Sequence, residues 1–144
     1  MYKYLIAVLS FALIFGSCSK YEDGPFISFR SKQERLINTW AYTLVLRNGA
    51  NVTFGAVDGS INYAASEIGF NDEMRFSDIF YLDSLYTQRD GDWVFNDKKK
   101  EVHLTYDDNG ETRTFRITRL KEKDLHFEED FDNNLYEYEL LPNR

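Results

Sequence analysis

The chain has 144 residues, a net charge of −7 and a pI near 4.8. That length suits one domain with a single core, and an acidic body repels phosphate backbones, which argues against nucleic acid as a partner. The single cysteine, Cys18, excludes an internal disulfide framework, while 17% aromatics and only two prolines lean toward β structure.

Lys3 precedes an unbroken apolar run, Leu5 to Phe15. The run has the length of a secretory h-region and is too short for a spanning helix. Gly16, Ser17 and Cys18 follow. Small residues before a cysteine at this place resemble the lipobox of bacterial lipoproteins, although Phe15 stands where that pattern prefers Leu. The resemblance implies cleavage before Cys18 and acylation of its amine and thiol, palmitate included. It divides the chain into a signal peptide (1–17), a lipidated tether (18–30) and a folded domain (31–144). Two or more acyl chains hold a protein stably at a membrane. Ser19 follows the cysteine, where such proteins carry Asp for inner-membrane retention, so the implied location is the outer membrane. The alternative is an ordinary signal peptide with a chance cysteine.

Beyond the tether, Ser31 to Glu34 fits S-x-x-E, a capping box, and predicts a short helical turn over about 32–37. From Asn38 the hydrophobic period is two. Trp40, Tyr42, Leu44 and Leu46 share one face, with Val45 on the other, and Asn48-Gly49 reads as a turn. Val52, Phe54 and Ala56 form a weaker run, closed by a turn at Asp58-Gly59-Ser60. Ile61 to Phe70 is poorly patterned, and Ala64 to Glu67 reads as a short helix. Met74, Phe76 and Phe80 alternate, with Asp78 spoiling the face. Trp93 and Phe95 mark a strand, as do Val102, Leu104 and Tyr106. Asn109-Gly110 is a strong hairpin signal. Phe115 and Ile117, Leu125 and Phe127, then Tyr136, Tyr138 and Leu140 continue the alternation. The pattern predicts an all-β domain, an antiparallel up-and-down barrel of about eight strands, with a β-sandwich as the alternative.

Asn38-Thr39-Trp40, following a helical turn, looks like the G-x-W opening of lipocalin-like domains, with Asn38 in place of the Gly. Gly91-Asp92-Trp93-Val94-Phe95, Phe115 to Leu120 and Asp124 to Phe127 are similar, in that order, to strands of small lipocalin-like lipoproteins of Gram-negative bacteria. The resemblance covers about 35–141 and implies a calycin-type barrel able to hold a small apolar ligand. It gives Trp40 and Trp93 structural roles. It pairs Trp40 with an arginine from a late strand, for which Arg119 is the candidate.

Few residues suggest chemistry. His103 and His126 sit among polar neighbours without a second histidine at ligand spacing, so no metal or other cofactor is expected. Asp130-x-Asp132-x-Asn134 starts like an EF-hand but has Leu135 where that loop requires Gly. No nucleophile elbow, Cys–His pair or phosphate loop is present, and the chain is expected to be noncatalytic. Arg113 and Arg119 flank Phe115 and Ile117 on the expected inner face, an arrangement that suits an amphiphile with an anionic head. The plainer alternative places Arg113 at the barrel mouth, reaching water. The expected function is ligand binding at the membrane. The alternative is a solid-cored module that docks another envelope protein.

Overall fold

The computed structural model describes residues 30–54, 61–82 and 85–143. The signal peptide, Cys18, all but the last residue of the tether, Ala56 and the 58–60 turn lie outside these. Among the described residues one helix, α1 (Lys32–Leu36), precedes nine strands: β1 (Asn38–Arg47), β2 (Ala50–Asn51), β3 (Ile61–Phe70), β4 (Arg75–Leu82), β5 (Leu85–Phe95), β6 (Glu101–Tyr106), β7 (Thr112–Lys121), β8 (Asp124–Phe131) and β9 (Asn134–Pro142). β1 pairs antiparallel with β3, each strand from β3 to β8 pairs antiparallel with the next, and β9 returns to pair with β1 from Trp40↔Pro142 to Arg47↔Tyr136. That last pairing closes an eight-stranded barrel and excludes the sandwich, whose sheets would keep free edges. The two-residue β2 is an extra strand, folded back on the end of β1 through Asn48 and Gly49, both at positive φ.

The capping box forms in full. The Glu34 N–H donates to the Ser31 hydroxyl at 3.2 Å, and the Ser31 N–H donates to the Glu34 carboxylate at 2.5 Å. These bonds satisfy amides that have no partner in the first turn of a helix. α1 then plugs one end of the barrel. Leu36 is buried, the Trp40 indole N–H donates to its carbonyl at 2.9 Å, and Arg35 donates to the Leu120 carbonyl on β7 at 2.9 Å. Ser31→Ala should cost about 1 kcal/mol in chemical denaturation. An unchanged midpoint would show that the plug does not depend on its cap.

Above the plug the barrel is filled. Trp40, Ile68, Trp93, Leu104, Leu125 and Leu140 are almost fully buried. Phe70 and Phe95 pack edge-on to Trp93 at 5.8 and 5.6 Å. Aromatic pairs at such angles add to the hydrophobic gain of burial itself.

Local departures from strict alternation correct four expectations. A bulge between Tyr42 and Leu44 moves β1 out of phase, so Val45 is buried rather than Leu44 or Leu46. Ala64 to Glu67 is strand, not helix. A register break opposite Phe80 disguises it, and within the break Ser66 donates to the Asn62 carbonyl at 2.7 Å. The Val52 run is not a strand: β2 ends at Asn51 and Phe54 is exposed. Thr53 instead turns inward, buried, where its hydroxyl accepts the Val45 N–H at 2.9 Å. Arg119 follows another register shift, after Ile117, and Leu120 takes the buried position.

Candidate functional site

The end opposite α1 is open. There the strands separate in two places. β1 pairs with β3 only from Asn38↔Phe70 to Ala41↔Glu67, and β7 pairs with β8 only as far as Arg116↔Glu128. Between these gaps lies a cavity of about 220 Å³, lined by Tyr42, Tyr63, Asp78, Phe80, Arg89, Arg113, Phe115 and Tyr138 among others.

Every strand but β2 has an inward residue here, because period two carries the inner face on past the apolar core. On β4, Phe76, Asp78 and Phe80 share that face. On β8, Leu125 and Phe127 are followed by Glu129. Asp78, which in sequence spoils the apolar face of its strand, and Glu129, which reads as solvated charge, therefore both point inside the barrel. The surface that Asp78 does expose faces the cavity.

Arg113 and Glu129 bridge the gap between β7 and β8. The Arg113 Nε donates to Glu129 Oε1 at 2.6 Å, and its Nη2 donates to Oε2. Glu129 is 3% exposed and also accepts the Tyr138 hydroxyl at 3.2 Å. Burial works against the arginine's charge, but the hydrogen bonds and charge of Glu129 prevail and raise its pKa. The guanidinium also lies over two rings, 4.8 Å from Phe131 and 5.3 Å from Phe115. A groove of about 320 Å³ runs over the same gap and shares Glu111, Arg113 and Phe131 with the cavity.

Across the cavity, Asp78 receives the Tyr106 hydroxyl at 3.0 Å. No cation lies within ion-pair distance of it among the described residues. Burial pushes its carboxyl up to about 6, against the opposing pull of the Tyr106 bond and of Arg113 and Arg89. Arg89 lies 3.7 Å over the Tyr106 ring, with Asp108 at 2.9 Å and Glu111 at 3.3 Å. Tyr42, Tyr63 and Tyr138 form a mutual cluster with centroids 5.6–6.1 Å apart. Burial raises all three phenols, Tyr63 to about 12, so they stay neutral.

A folded-state pKa above the ordinary 3.8 means that the native protein binds the extra proton between pH 4 and 6. Stability supplied by protonated Asp78 is thus complete below pH 4 and lost as pH rises through 6. Asp78→Asn keeps an acceptor for Tyr106 and carries no charge. Its stability relative to the parent should rise across pH 4–6, by on the order of 2–3 kcal/mol at pH 7. A difference that is flat with pH in urea titrations would contradict this.

Of the candidate ligand residues, Arg113 and Phe115 line the cavity, and Ile117 lies deeper and buried. Arg119 belongs to the plugged end, where it pairs with Asp124 at 3.1 Å. Trp40 is at that end too, its indole N–H spent on Leu36. Both histidines lie away from the cavity. His103 bonds Thr114 at 2.9 Å and His126 meets Asp124 at 2.7 Å. The Asp130 segment ends in a two-residue turn at Asp132 and Asn133, both at positive φ. No three metal-ligating side chains converge among the described residues.

No protein-family model and no curated protein matches the chain.

Proposed function

We propose that the chain is a noncatalytic lipocalin-like lipoprotein, held at the outer membrane by lipid on Cys18, that takes a small amphiphilic ligand through the open end of its barrel. One observation carries the reading: one end is plugged and packed, while the other leads to a cavity walled by half-buried, hydrogen-bonded polar groups. Above that cavity, on the same inward register, Leu82, Leu85 and Phe131 stand exposed. They give an apolar collar over a polar floor, which suits a molecule with a head and a tail. The leader and Cys18 support attachment through lipid.

The test has two parts. Labelled palmitate should enter the parent chain and not Cys18→Ser, which should leave the membrane fraction. Native mass spectrometry of the full chain from its own host should show a small-molecule adduct. A chain without adduct, whose melting temperature ignores a panel of amphiphiles, would refute ligand binding.

The filled lower core favours a second reading. Trp40, Trp93, Tyr106 and Phe127 occupy space that a larger ligand would need, while Phe54 is 80% and Leu85 70% exposed. A docking module for an envelope protein would use those residues. Photo-crosslinking from position 85 in cells would yield one specific partner on this reading.

A further inference from the structure

The geometry points to a small organic cation as the cavity's ligand, with its ammonium head between the Asp78 carboxylate and the tyrosine rings. The inference rests on the open-end binding reading and adds the charge of the head.

Arg113 is held by both oxygens of Glu129, and Arg89 is held by Asp108 and Glu111. An anionic head would find both guanidinium groups already paired. Asp78 differs, since the bond shown to it is a single phenol O–H. Asp108 lies out in solvent, but with buried Glu129 added to the lining residues Asp78 and Glu111, three carboxylates face two arginines, so the unmet demand in the site is for positive charge. A buried carboxylate with one neutral donor is costly to leave so, and a bound ammonium would supply the missing partner.

The walls agree. Tyr42, Tyr63 and Tyr138 bring three neutral rings to one side, and ring faces attract ammonium and guanidinium groups. Rings of this barrel already hold cations, Tyr106 under Arg89 and Phe131 under Arg113. The volume of about 220 Å³ equals roughly seven waters, room for an amine of modest size and not for a long acyl chain.

The experiment is calorimetric titration of the full chain with three probes that share one ring: benzylamine, benzyl alcohol and benzoate, at neutral pH. Benzylamine should bind at least about tenfold more tightly than benzyl alcohol, and benzoate should bind least. Asp78→Asn, with its fold checked by thermal melting, should lose the preference for benzylamine over benzyl alcohol. Benzoate binding as tightly as benzylamine, or an Asp78→Asn variant with unchanged preference, would overturn the cationic assignment and leave open-end binding standing. If none of the three binds, the cationic assignment fails, and open-end binding is decided separately by the adduct and melting measurements.

Discussion

Replacing Arg113 with methionine should destabilise the protein by about 3–5 kcal/mol. The side chain that remains, Glu129, is almost wholly buried, and its other bond shown is the Tyr138 hydroxyl. Removing one member of a buried pair leaves the second charge without compensation, which costs far more than the pair itself contributes. The double variant Arg113→Met, Glu129→Leu should therefore recover most of the loss, because two apolar groups of similar size can fill the gap between β7 and β8. Folding free energies from denaturant titration of the parent, both single variants and the double variant form the cycle. A strongly negative coupling, with the double variant near the parent, is expected. Additive losses would mean that the pair is not the contact closing this gap. Against a total of about 5–15 kcal/mol for an ordinary domain, the single change removes a large fraction.

Gly91→Ala should be as damaging for a steric reason. Gly91 is buried in β5 opposite Phe76 on β4 and Tyr106 on β6, whose rings meet edge to face at 5.0 Å. A Cβ there would stand 2.1 Å from the Thr105 carbonyl oxygen and 2.6 Å from the Phe76 ring. The ring has some freedom to move. The carbonyl belongs to the β5–β6 ladder, and shifting it disturbs the pairing beneath Trp93. Overpacking against backbone should cost about 3 kcal/mol or more, with a lower denaturation midpoint and weaker near-ultraviolet tryptophan dichroism. A loss under about 1 kcal/mol would show that β5 yields more easily than its contacts imply. The same contacts account for the glycine two residues before Trp93: the strand comes too close to its neighbours for any side chain.

The barrel was legible in sequence wherever alternation runs unbroken. Val102, Leu104 and Tyr106 are all buried, and Thr112, Thr114, Arg116 and Thr118 all face out, as period two requires. Phase was lost where a bulge inserts a residue. β1 changes face after Tyr42, and the break in β3 made Ala64 to Glu67 read as helix. The site was harder to see. Asp78 reads only as a flaw in the Phe76–Phe80 face and Glu129 as solvated charge, whereas position sends both inward, two residues beyond Phe76 and Phe127. Arg113 was found on the inner face, but its partner sits 16 residues later on another strand. Tyr63 and Arg89 fall in stretches that looked featureless. A cavity assembled from one or two residues on each of several strands leaves no local motif.

The account depends on a carboxylate enclosed by the barrel at its open end. Carbon-13 NMR of the aspartate carboxyl carbons, followed against pH in the parent and in Asp78→Asn, measures that directly. One resonance should titrate near pH 6 and be missing from the variant. If every aspartate instead titrates near its ordinary value of about 4, Asp78 is open to water and the barrel has no enclosed polar cavity.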